Sequence, residues 1–143
     1  MATVNDIHRE LVDAWNRRDW TKYRSLLHPE YRYRGPDGKE LVGPDAGLQL
    51  AQGYATAFPD GKLELRKVFP CGDTAIGECH ATGTHKGSLM GVAATGKRVQ
   101  LDVCNIVELR DGKVHREREF MDMLTLFIQT GTVKLPGAKP KAA

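Results

Sequence analysis

From residue 62 onward the chain abandons helical spacing for short strand-like runs, and that switch limits the fold more than any other feature. Leu63 and Leu65, then Val68 and Phe69, mark one strand. Residues 74–88, 97–110 and 113–122 read as three more, each set off by a glycine-containing turn. Strands joined by turns this short pair with their sequence neighbours, so the second half of the chain predicts an antiparallel meander. Gly77, Gly83, Gly87 and Gly91 lie within or beside the second strand, where a sharply bent sheet uses glycine.

The first half supplies the cover for such a sheet. Residues 3–18 predict a helix: Thr3 and Asp6 form a capping box, and Val4, Ile7, Leu11, Ala14 and Trp15 recur on one face. A short second helix restarts at Asp19 and carries Tyr23, Leu26 and Leu27, with His28-Pro29 expected to end it. Residues 30–42 read as a hairpin, with Tyr31 and Tyr33 alternating with polar residues and Pro36-Asp37-Gly38 as the turn. Gly43-Pro44-Asp45 opens a third helix that runs to about Phe58. The fold class is α+β, with three N-terminal helices packed into a strongly curved antiparallel or mixed sheet. Helices cannot fill the wide end of the resulting cone, so a concave apolar pocket is expected there.

A length of 143 residues suits one domain, with 1–133 folded and 134–143 expected to be a flexible basic tail. The net charge of +3 is small and scattered, which gives no reason to expect a nucleic-acid partner. Cys71, Cys79 and Cys104 are odd in number and lack ligand spacing, so neither a disulfide framework nor a zinc site is expected, and a reduced, cytoplasmic setting is. The N-terminus lacks the apolar core of a signal peptide, and no run approaches membrane-spanning length.

The stretch from Asp111 to Gly131 reads as a turn, a strand, the carboxylate Asp122 and a short apolar helix. Asp122 is placed either to cap that helix or to move protons in the pocket. If Asp111-Gly112 is a two-residue type I′ turn, Asp122 shares a face with Asn105 and Leu101. If the turn carries a glycine bulge, pairing shifts by one and Asp122 joins Glu108, Ile106, Cys104 and Asp102, the arrangement favoured here. In both registers Arg116, Arg118, Phe120 and Asp122 line up together unless a bulge intervenes. Trp15, Tyr54 and Phe58 could wall the pocket or simply pack the core. His85, between glycines, is either an exposed turn residue or a polar group at the cavity. His8, His28 and His115 read as surface or packing residues.

Several segments taken together resemble the SnoaL-like polyketide cyclase family, within the superfamily of nuclear transport factor two and ketosteroid isomerase. They are Ala-Trp-Asn-Arg-Arg-Asp at 14–19, Leu-His-Pro at 27–29 and Phe-Pro-Asp at 58–60, then Gly-Thr-His-Lys-Gly at 83–87 with Gly91 and Thr-Gly-Lys at 95–97. Asp-Gly-Lys at 111–113, Asp122 and Gln-Thr-Gly at 129–131 complete the set in the same order. The resemblance implies a cone-shaped α+β barrel and no cofactor; no metal is expected, and because the sheet's second face needs covering a homodimer or homotetramer is expected. It also implies an intramolecular aldol condensation that closes a ring of an aromatic polyketide ester. It assigns the general acid/base to Asp122; His85 and Glu108 are the other catalytic candidates, read from their own positions on the strands. Trp15, Tyr54, Phe58, Arg118 and Phe120 would contact a hydrophobic or aromatic ligand. Glu108, Arg118 and Ala93-Ala94 depart from the family pattern. The alternative is a non-catalytic binding module of the same fold, in which Asp122 is a cap.

Overall fold

The computed structural model describes residues 2–137. Its first helix, α1 (Val4–Arg17), begins at the expected capping box. Thr3 Oγ1 accepts the Asp6 N–H at 3.2 Å and Asp6 Oδ2 accepts the Thr3 N–H at 2.9 Å, which satisfies two otherwise orphaned donors. The short α2 (Trp20–Ser25) stops before the His28-Pro29 pair. Pro29 lies instead inside β1 (Leu27–Arg34), in the stretch between Leu27 and Arg32 where β1 loses register with its neighbour. A residue without an N–H fits where a rung of the ladder is missing. Then come β2 (Glu40–Val42), α3 (Pro44–Ala57), β3 (Lys62–Cys71), β4 (Thr74–Thr84), β5 (Arg98–Arg110), β6 (Lys113–Met121) and α4 (Met123–Gln129). β4 ends four residues short of the expected Ser88, because the chain folds back there: His85 N–H donates to Lys97 O and Gly96 N–H to His85 O.

The sheet has six strands in the order β2-β1-β6-β5-β4-β3. β3 to β6 form the expected antiparallel meander, and β1 joins β6 in parallel. The architecture is the expected α+β, but the curved sheet is not closed into a barrel: β2 and β3 are its two edges. Helices α1 and α3 cover the concave face against β3 and β1, and α4 packs on β5.

The hairpin joining β5 to β6 decides which side chains enter the cavity. Asp111 and Gly112 both have positive φ, 52° and 73°, and Arg110 pairs with Lys113, so the turn is the two-residue type I′ form. The register then slips between Glu108 and Leu109, leaving His115 as the extra residue of a bulge in β6. Beyond it Ile106 faces Arg118 and Cys104 faces Phe120, the pairing expected of a bulged turn, although the bulge sits within the strand. The bulge also reverses the faces. Val114 points inward and is fully buried, and plain alternation would carry Arg116, Arg118 and Phe120 inward with it. Instead Glu117 is buried and Glu119 half-buried, while Arg116, Arg118 and Phe120 are exposed.

The core falls into two parts. Leu11, Trp15, Tyr31 and Val107 belong to one, and Cys79, Val99, Leu101 and Leu126 to the other. Among the described residues no helix is long and apolar enough to cross a membrane. Residues 134–137 are exposed, and the rest of the expected tail, 138–143, lies outside the described residues.

Candidate active site

A cavity of about 120 Å³ lies between the concave face of the sheet and the helices. Its walls are largely apolar and aromatic, and they include three residues singled out from the sequence, Trp15, Tyr54 and Phe58. Trp15 is held rigidly: its indole N–H donates to Ala51 O at 3.0 Å, and the Arg18 guanidinium lies 4.1 Å from its ring centroid. Arg18 also donates to the carbonyls of Trp15, Phe58 and Gly61, tying the end of α1 to the end of α3.

The polar groups of the cavity come from β1, β5 and β6. Glu117 and Glu119 stand two residues apart on the inner face of β6, opposite Val107 and Asn105. Tyr31 Oη donates to Glu117 Oε2 at 2.5 Å and Asn105 Nδ2 donates to Glu117 Oε1 at 2.8 Å. Tyr33 Oη donates to Glu119 Oε1 at 2.7 Å. The tyrosine ladder depends on Gly47: a Cβ at that position would run into the Tyr31 ring, so only glycine lets α3 approach β1 this closely.

The electrostatics follow from the surroundings. Burial pushes the Glu119 carboxyl up to about 7, and the negative charge of Glu117 adds to the effect, against the opposing hydrogen bonds of Tyr33 and Asn105. Glu117 is also raised by burial, with the Tyr31 and Asn105 hydrogen bonds pulling the other way. Burial holds Tyr31, Tyr33 and Tyr54 well above the ordinary tyrosine value, so all three remain hydroxyl donors. His8, wholly buried beside Asn105, is pushed down to about 4, by burial first, and stays neutral at neutral pH.

The other sequence-derived candidates lie elsewhere. Asp122 is exposed and lines no part of the cavity. Its Oδ1 accepts the Thr125 N–H at 3.0 Å and its Oδ2 the Thr125 hydroxyl at 2.5 Å, so it caps α4, and those bonds lower its pKa. Phe120, 58% exposed, and Arg118 are on the outer face, where Arg118 stands 3.9 Å from Glu108. The expected placement of Glu108, Arg118 and Phe120 in the pocket is therefore corrected: the His115 bulge turns Arg118 and Phe120 outward, and Glu108 alternates away from the inward Asn105 and Val107 of β5. His85 is buried, with Nδ1 3.0 Å from Thr95 Oγ1 and its ring 5.7 Å from that of Phe58. It supports the Phe58 wall from behind instead of lining the cavity.

Sequence reasoning passed over Glu117 and Glu119 because plain alternation puts them on the face opposite Arg116, Arg118, Phe120 and Asp122. A usable signal was present in β5, where Val99, Leu101, Val103 and Val107 form an apolar face interrupted by Asn105. Away from the cavity, His28, Glu30 and His115 bring ligand atoms within 4.8 Å of one another. Two of the three are already engaged: His28 Nε2 faces Asp111 at 3.2 Å, His28 Nδ1 accepts the Glu30 N–H, and Glu30 pairs with Arg110.

Comparisons with known proteins agree with this architecture. An aklanonic acid methyl ester cyclase of Streptomyces peucetius, DnrD, is 28% identical over 134 residues, 92% of each chain. A second, AcmA of Streptomyces galilaeus, is 26% identical over 86% of this chain and 87% of that one. Among solved structures, AclR of Streptomyces galilaeus, described as a candidate hydroxylase, is similar with a TM-score of 0.80 and 28% identity, over 92% of this chain and 97% of that one. The shared scaffold thus carries more than one named activity, and the chemistry has to be argued from the cavity. Residues 5–130 match the family model for SnoaL-like polyketide cyclase, and the chain belongs to that family.

Proposed function

We propose that this chain closes a ring of an aromatic polyketide ester by intramolecular aldol condensation, with Glu119 as the proton shuttle. The observation that carries this reading is a single one: a cavity carboxylate raised to about 7 and held by Tyr33 within apolar, aromatic walls. A general base for a carbon acid works best with a pKa near the operating pH, and the exposed, acidified Asp122 offers neither that basicity nor access to the cavity.

The Glu119 carboxylate takes the proton from the carbon between a carbonyl and the ring system. The enolate carbon attacks a second carbonyl of the same molecule, a C–C bond forms, and the π pair of that carbonyl becomes an alkoxide. Glu119, now a carboxylic acid, returns the proton to the alkoxide, so no atom is gained or lost. Tyr54 Oη has no hydrogen-bond partner among the described residues and is available to donate to the enolate oxygen. The aromatic walls fold the substrate so that its two reacting carbons meet.

The curated relatives' names supply the probe. Aklanonic acid methyl ester, incubated with the protein, is expected to give a product of unchanged mass and new chromatographic mobility. Glu119→Gln is expected to slow that conversion by about 100-fold or more. Conversion at the wild-type rate by Glu119→Gln would overturn the assignment, and binding without any conversion by the wild type would favour the non-catalytic module.

A further inference from the structure

The reading of Glu119 leaves its neighbour unused. Glu117 lies deeper, 5% exposed, and both its oxygens accept hydrogen bonds, from Tyr31 and from Asn105. A fully engaged buried carboxylate is poorly placed to reach a substrate carbon but well placed to hold a fixed charge. Glu119, two residues on along the same face, accepts its direct hydrogen bond from Tyr33 at 2.7 Å and lines the cavity; Asn105 lies beside both carboxylates, but its Nδ2 donates to Glu117. Two carboxylates this close in a low-dielectric site cannot both ionise cheaply, and the one with more donors keeps the charge.

We propose that Glu117 is the positioning residue of this site: anchored at the cavity floor by Tyr31 and Asn105, its carboxylate supplies the fixed negative charge that keeps the exchangeable proton on Glu119. Among the described residues, the one cation lining the cavity is Lys62, exposed at the start of β3, and the titratable groups packed around the pair are uncharged at neutral pH. They are His8 from α1, Tyr23 from α2, Tyr31 and Tyr33 from β1, Tyr54 from α3 and Cys79 from β4. His8 is neutral at neutral pH, the tyrosines are held protonated by burial, and burial pushes the Cys79 thiol up to about 12. The charge on Glu117 therefore meets no buried counter-charge among these groups, and its repulsion adds to burial in raising Glu119. Gly47 belongs to the same device, because it admits the Tyr31 ring that fixes Glu117.

This inference rests on Glu119 being the shuttle, but its test does not need a substrate. Side-chain carboxyls of the intact protein, labelled with carbon-13 on glutamate, are titrated by NMR, with Glu119→Gln used to assign the Glu119 signal. In the wild type Glu119 is expected to titrate near neutrality. In Glu117→Gln, which keeps the shape and loses the charge, its titration is expected to move down by about one pH unit or more. Tyr31→Phe removes a donor that holds Glu117 ionised, so the proton migrates to Glu117 and the Glu119 titration also moves down. An unchanged Glu119 titration in folded Glu117→Gln would overturn the proposal, and should that variant fail to fold, an unchanged titration in Tyr31→Phe would do so. The acid limb of the ring-closure rate against pH is expected to follow the same displacement in Glu117→Gln. If Glu119→Gln proves fully active while the titrations behave as described, it is the shuttle assignment that fails and the charge relationship that stands.

Discussion

Glu119 should make the protein less stable as the pH rises toward neutrality, and replacing it should remove that loss. In the unfolded chain the carboxyl titrates near the ordinary glutamate value of 4.5; in the fold burial raises it to about 7. The folded state therefore binds the proton more tightly. Below the unfolded value the residue costs nothing, through the window from 4.5 to about 7 stability falls as the proton is lost, and above it the penalty is complete. That interval corresponds to about 3 kcal/mol, and the opening of the cavity to solvent reduces it to about 2 kcal/mol. The assay is urea denaturation of wild type and Glu119→Gln at about pH 5 and about pH 8. The wild type is expected to lose about 2 kcal/mol more than the variant between the two conditions. At the higher pH Glu119→Gln should be the more stable protein. Equal losses in both proteins would refute the reasoning, because Glu119 would then titrate alike in the folded and unfolded chain.

Asp122→Ala should cost about 1 kcal/mol through the lost cap of α4, read as a lower urea midpoint, with ring closure at the wild-type rate. Gly47→Ala places a Cβ in the Tyr31 ring and should cost about 1–3 kcal/mol, measured by the same denaturation. Phe120→Ser on the exposed outer face should leave the quenching of tryptophan fluorescence by an aromatic β-keto ester unchanged, whereas Tyr54→Ala in the cavity wall should weaken it.

Much of the scaffold was legible because it rests on local rules. The Thr3–Asp6 capping box, the proline at the start of α3 and the glycine turns between β3 and β6 all fall where spacing and turn chemistry put them. The cavity was legible as well, since a bent sheet under short helices leaves one, and Trp15, Tyr54 and Phe58 line it. The polar site was not, and the cause is a single residue. Strand reasoning counts faces in steps of two, and His115 adds one step that no turn signal announces. The inward set thereby changes from Arg116, Arg118 and Phe120 to Glu117, Glu119 and Met121. Two glutamates on the inner face of a sheet run against the hydrophobic pattern, which is where a local rule is expected to yield to function. For Asp122 the cap was weighed from the start, and its Thr125 hydrogen bonds bear out that simpler placement.

The exchangeable proton is handled at Glu119, and isotope exchange at the substrate carbon reads that step directly. An anthraquinone-type β-keto ester in heavy water takes up deuterium at its activated carbon, whether or not the ring closes. Acceleration by the wild type, its loss in Glu119→Gln and its persistence in Asp122→Asn is the result expected here. Persistence in Glu119→Gln with loss in Asp122→Asn would contradict it and return the chemistry to the end of β6.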